Sequence, residues 1–243
     1  MGDSSPIRHL SGASGIYPIT RTQEVRDLGV VVTSDFKPSS QCQNAASRAR
    51  SALHRLRHVV TSREAEVFLP LYSALVRPHL EYCVQAWCPY LKKDIVCLEK
   101  VQKLATRQIV GMKGRSYEEW LIALGLFSLE RRRLRGDLIE SWKYVQKMDD
   151  PSQVSFFKKR SYTATRGHEW TLYRERSNKL LRANFFSQRV VDAWNRLPQE
   201  VVAATSPASF KVRLDRVWVG LFPDLYWPSI LSLSNTWIIN FIW

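Results

Sequence analysis

LPLYSALVRPHLEYCVQAWCPYLKKDIVCLEKVQKLATRQIVG, residues 69–111, decides the fold class of this chain. Its first twenty residues are almost wholly apolar, and the remainder is a basic amphipathic pattern. The apolar part is preceded by Thr-Ser-Arg-Glu at 61–64, which predicts a capping box between Thr61 and Glu64 and a helix after it. With apolar residues on every side, that helix is expected to be buried. Pro78 should bend or break it. A further helix is expected from about Asp94, with Ile95, Leu98, Val101, Ala105 and Ile109 on its apolar face and Gly111 as its stop.

Helical period continues on both sides. Upstream, Ala45, Ala49, Leu53, Leu56 and Val60 form one stripe, with His54 and His58 opposite it. Before that, VRDLGVVV at 25–32 reads as a strand, and residues 1–24 read as a disordered leader. Downstream, SYEE at 116–119 starts a short helix ending at Gly125. A longer helix covers 128–147, with Leu134, Leu138, Trp142 and Val145 inward, and Pro151 ends it. Residues 152–182 show no strong period and read as short strands or loops. Helical pattern returns over about 183–197 and over 206–218, where Ser206 is a cap and Pro207 takes the first helical position. The expected fold is mainly α with a few short strands: a helical part at 25–148, a basic, loop-rich part at 152–218, and an apolar tail at 219–243.

Charge is the unusual feature of the composition. Lys plus Arg number 36 against 22 Asp plus Glu, for a formal net charge of +14. Such a surface favours polyanionic partners, because cations attract phosphates and release their counterions. Cys42, Cys83, Cys88 and Cys97 lack the paired spacing of a zinc site, and Cys83 and Cys97 read as reduced core residues. No apolar run opens the chain as a secretory signal would, and no myristoylation motif is found; an intracellular location is expected, nuclear or cytoplasmic, with the compartment unknown. The last nineteen residues carry no charge, but Pro228, Asn235 and Asn240 and the lack of a basic flank argue against a membrane span.

Several blocks occur in one order: LPLYSALVRPHLEYCVQAWCP, LEKVQKLATRQIVG, YEEWLIALGLFSLERRRLRGDL, NFFSQRVVDAWNRLPQEVV and SFKVRLD. Together they resemble the region C-terminal to the reverse-transcriptase domain of jockey-like non-LTR (LINE) retrotransposons, over about residues 25–216. RDLGVVV resembles the strand near the end of that polymerase domain. The resemblance implies a parent RNA-directed DNA polymerase, in which this chain is the thumb and carboxyl region and a polymerase palm domain is its neighbour. Polymerase chemistry needs aspartates on adjacent strands to hold two Mg²⁺ ions. The 24 residues before Val25 hold no such hairpin. Asp149 and Asp150 follow a helical pattern and precede Pro-Ser-Gln, so they read as a helix exit. The sequence therefore offers no catalytic residue, no metal ligand set, no cofactor and no small-molecule substrate.

Two groups are candidate contacts for RNA or DNA, without sequence preference. Arg48, Arg50, Arg55 and Arg57 flank the apolar stripe of the first predicted helix and could track phosphates. Lys158, Lys159, Arg160, Arg166, Arg174, Arg176, Lys179 and Arg182 are interleaved with Phe157, Trp170 and other aromatics, a composition that suits single strands. ERRRLRG at 130–136 could serve as a nuclear signal, but its arginines fan around a helix and are expected to be structural, with Glu130 or Asp137 as a partner. The alternative to nucleic-acid binding is a scaffold segment whose apolar helices pack on a palm domain.

Overall fold

The computed structural model describes residues 9–12, 15–18, 22–148, 156–160 and 167–222. They are mainly helical with a few short strands, the expected class. Within the stretch read as a disordered leader, β1 (His9–Gly12) and β2 (Gly15–Pro18) pair antiparallel, with His9 opposite Pro18. The single strand expected at 25–32 is instead a hairpin of β3 (Glu24–Asp27) and β4 (Val30–Thr33). Leu28 and Gly29 both take positive φ, 43° and 85°, as a two-residue hairpin turn requires. Tyr82 Oη donates to the Leu28 carbonyl at 3.0 Å and pins that turn to the helices.

α1 (Ser39–Val59) buries Ala45, Ala46, Ala49 and Ala52, small residues that let neighbouring helices approach closely, along with Leu53 and Leu56. The capping box expected at 61–64 does not form. Arg63 donates to the carbonyls of Val60 and Arg57 and holds this segment extended, so α2 (Ala65–Leu75) begins after Glu64 without a side-chain cap. Nor is α2 buried all round. Phe68 and Tyr72 are sealed, whereas Val67 and Leu75 are 43% and 51% exposed, because α1 and α3 cover only one face. Pro78 breaks the helix as expected and lies in the first turn of α3 (Arg77–Glu81). Cys83 follows with φ 52° and is exposed, so its core reading is corrected; Cys97 is half-buried and packs against the core, and Cys42 is sealed within it. Burial pushes the Cys42 thiol up to about 12.

After α4 (Val84–Trp87) comes α5 (Lys92–Thr106), which ends short of Gly111. Thr106 Oγ1 turns back onto the Gln102 carbonyl at 3.0 Å, and Gly111, at φ 79°, closes a later turn. Asp94 rather than Ile95 faces inward, where Ser39 Oγ donates to it at 2.7 Å. The helix expected to start at 116–119 is α6 (Tyr117–Ala123), and a capping box opens it: Glu119 N donates to Ser116 Oγ and Ser116 N to Glu119 Oε2. α7 (Leu129–Val145) starts at the Ser128 cap and buries Leu138, Trp142 and Val145, with Leu134 half-buried.

The chain beyond α7 contains α8 (Leu180–Ala183), α9 (Phe186–Arg189), α10 (Val191–Asn195), α11 (Gln199–Val202) and α12 (Pro207–Leu221). α12 has the predicted Ser206 cap and Pro207 start. Two hydrophobic clusters result. One runs from Val30 to Leu129, the other from Leu138 to Phe222 around Trp194, Phe210 and Trp218. The division thus falls inside α7, at 130–137, and not after it. Asp149, Asp150, Arg166 and residues 223–243 of the tail lie outside the described residues.

Candidate nucleic-acid interface

α1 and α5 run side by side in the same direction. Ser39 meets Asp94 at one end, and at the other Val110 N donates to the Arg63 carbonyl at 3.0 Å. Arg50 lies on the flank of α1 that faces α5, with Nη2 3.9 Å from Cys97 Sγ, and Arg57, seven residues on, continues that stripe. Arg48 and Arg55 occupy the other flank of α1; Arg48 is half-buried and the other three arginines are exposed. From α5, Lys92, Lys93, Lys100 and Lys103 are exposed, and Arg107 follows just past its end. None of these nine cations forms an ion pair among the described residues. The reason is where the acids of these helices point. α1 has none, Asp94 is buried, and Glu99 turns inward to accept from Tyr117 Oη at 2.6 Å and Leu129 N at 3.1 Å. Burial pushes the Glu99 carboxyl above its ordinary range, against the pull of those donors. The outward faces of the two helices are left purely cationic.

The second basic group is arranged differently. Lys158–Arg160 lie antiparallel to Thr171–Tyr173 through a Lys159–Leu172 bridge, with Arg160 N donating to the Thr171 carbonyl at 2.9 Å. Glu175 accepts from Lys158 at 2.9 Å and from Arg182 at 2.8 Å, and Arg174 pairs with Asp192. Lys159 covers the Trp170 ring at 4.1 Å, and Arg182 covers Phe185 at 5.4 Å. Arg160, Arg176 and Lys179 are exposed without a side-chain ion pair among the described residues. Phe157 is 4% exposed and packs in the second cluster, so it is core and no stacking platform; its neighbour Phe156, 51% exposed, is the accessible ring.

The arginine run at 130–136 is structural, but its partners are remote in sequence. Arg132 pairs with Glu81, Arg135 makes a two-pronged contact with Asp215 at 2.8 Å for each bond, and Asp137 is held by Arg189 at 2.9 and 3.0 Å. Arg131 lies between the Phe127 and Trp218 rings, at 4.0 and 4.9 Å. These contacts stitch the two clusters together, and burial takes Arg131, Arg133 and Arg135 out of any accessible signal.

No family model matches this chain, and among curated proteins and solved structures none matches it either. Apart from the cationic face, a groove of about 790 Å³ lies between β4, α4, the end of α7 and α8–α9. Its walls include Phe36, Phe156 and Phe185, all exposed. Among the described residues no helix is long and apolar enough to cross a membrane.

The lysines of α5 were missed at the sequence level. Lys93 and Lys100 stand seven apart on the polar side of an amphipathic pattern, which is legible. Their joining Arg50 and Arg57 depends on the parallel packing of α5 against α1, which is not.

Proposed function

We propose that this chain is a catalytically empty C-terminal fragment of a non-LTR retrotransposon reverse transcriptase that binds RNA or DNA without sequence preference through the outward faces of α1 and α5. The single observation behind the binding surface is that eight cations lie on two adjacent helices whose acids all face inward, with Arg107 just past the end of α5 as a ninth. A field of one sign with no internal counter-charge attracts phosphate backbones and gains from counterion release. The parentage rests on the ordered sequence blocks. The test is a salt titration of fluorescence anisotropy with labelled single-stranded RNA, single-stranded DNA and duplex. Affinity should fall linearly on a log–log plot, alike for unrelated sequences. Binding that is insensitive to salt would sink the proposal. With template, primer, nucleotides and Mg²⁺ the chain should extend nothing; extension that survives Asp149→Asn would require a metal site elsewhere.

A second reading, a scaffold that packs on a palm domain, is favoured by the groove with its three exposed phenylalanines and by the exposed Val67 and Leu75 of α2. It expects self-association in sizing experiments, since uncovered apolar patches drive it. A monodisperse monomer would count against it.

A further inference from the structure

His54 and His58 are one helical turn apart on the exposed face of α1, between the two flanks of arginines. Their rings lie 4.4 Å apart between centroids and tilt by 59°, with the two Nε2 atoms facing each other at 3.1 Å. Neither ring has another hydrogen-bond or ion-pair partner among the described residues. At that distance the contact is a hydrogen bond when one Nε2 carries a proton and the other does not.

The same 3.1 Å separation suits a shared metal ion. With metal–nitrogen bonds of about 2.0–2.1 Å, two nitrogens at that spacing subtend roughly 98° at the ion. That angle lies between octahedral and tetrahedral values, so the spacing of the two nitrogens need not change. We propose that His54 and His58 chelate a late first-row divalent ion of the zinc, nickel or copper type, and that the ion's open positions take a phosphate oxygen of nucleic acid bound on the α1–α5 face. The second half rests on the function proposed above; the first half stands without it.

Imidazole selects for this class of ion, whereas Mg²⁺ and Ca²⁺ demand oxygen donors. On binding, the ring carrying Nε2–H shifts its proton to Nδ1, and both Nε2 lone pairs enter the metal bonds. No proton is lost between two neutral rings, and a protonated ring must first release one. Among the described residues no third His, Cys, Asp or Glu completes a cluster, so water or an outside oxygen fills the remaining positions. Arg50, Arg55 and Arg57 surround the pair and α1 contains no acid, so an ion here gains from an anionic co-ligand. Phosphate supplies that charge. Metal and nucleic acid then raise each other's affinity by the same factor.

The experiment is calorimetric titration of the full chain with Zn²⁺ at pH 7.5, beside His54→Ala and His58→Ala, with His79→Ala as the control. Both positions are exposed on a helix and alanine is the best helix former, so the variants should fold, as circular dichroism will verify. Each should weaken Zn²⁺ binding by at least about tenfold, as loss of a metal ligand does at minimum, and His79→Ala should bind as the parent does. Unchanged binding in either variant, or no binding by the parent, overturns the chelate. Anisotropy with single-stranded RNA is then measured in Zn²⁺ and in chelator. Tighter binding in Zn²⁺ for the parent and not for His54→Ala supports the phosphate link. An RNA affinity that ignores Zn²⁺, with Zn²⁺ binding intact, overturns the link and leaves the chelate. RNA that fails to bind in either condition overturns the nucleic-acid reading instead.

Discussion

The α1–α5 face and the segment around 156–182 are both strongly basic, yet they differ in where their acids sit. On α1 and α5 the acids point into the core, and the cations stand without ion pairs. In the second segment Glu175 and Asp192 lie on the surface beside Lys158, Arg182 and Arg174. Two stretches of similar charge along the chain therefore present different fields to a partner. What matters is the direction of the counter-charges, which net charge along the sequence does not report.

The comparison breaks most sharply on Phe157. As core, Phe157→Ala should lose about 3–5 kcal/mol of stability, whereas the exposed Phe156→Ala should lose less than about 1 kcal/mol. Denaturant unfolding reads both. A Phe157→Ala chain of parental stability that binds single strands poorly would return this ring to the nucleic-acid surface.

Arg189 shows how far the cations of the second half serve the fold. Arg189→Met leaves Asp137 buried and unpaired, which should cost about 3–5 kcal/mol at pH 7. Burial, the largest influence, already raises the Asp137 pKa, against the pull of Arg189. A carboxyl with a raised folded pKa favours the folded state below its unfolded value and loses that advantage as pH rises through the folded value. Without Arg189 the folded value rises further, so the penalty relative to the parent should shrink between pH 7 and pH 4.5. A pH-independent penalty would mean that Asp137 is not the group left stranded.

Next in size is the salt slope. Replacing Arg50, Arg57, Lys93 and Lys100 by glutamine should flatten the single-strand slope by about 3 units if each meets one phosphate. Neutralising Lys158, Lys159, Arg160, Arg174 and Arg176 should remove less than half as much. The reverse order in the anisotropy titration would move the interface to the second segment.

The smallest effect is expected from Glu175→Gln, which frees Lys158 and Arg182. Exposed pairs are weak, so stability should change by less than about 1 kcal/mol. RNA affinity should rise a few-fold and the slope steepen by about one unit. A null result would show that these cations lie outside the path of the strand even when released.

Local signals survived where the partners lie within one turn. The helix starts expected at Ser116 and at Ser206–Pro207 both formed, because each needs only neighbouring residues. The Thr61–Glu64 box failed because Arg63 and more distant carbonyls competed for the same backbone. Of the face expected for α5, Leu98, Val101, Ala105 and Ile109 are buried, and only the first position differs, since Asp94 found Ser39, fifty-five residues away, and went inside in place of Ile95. The candidate arginines of α1 were legible as the polar flank of one stripe and Lys93 and Lys100 as the polar side of another, but the packing that sets the two side by side was not.

Composition and hydrophobic period by themselves determined that this chain is basic, mainly helical, and broken at Pro78 and before Pro207. Those properties follow from intrinsic charge and from backbone restrictions that act over a few residues. Tertiary structure alone decided which cations are free. It turned Asp94 and Glu99 inward, set α5 beside α1, and spent Arg132, Arg135 and Arg189 on joining the two cores. The physical reason is range: an ion pair or a packed helix joins residues from fifty to a hundred positions apart, and a sequence pattern holds no record of that distance.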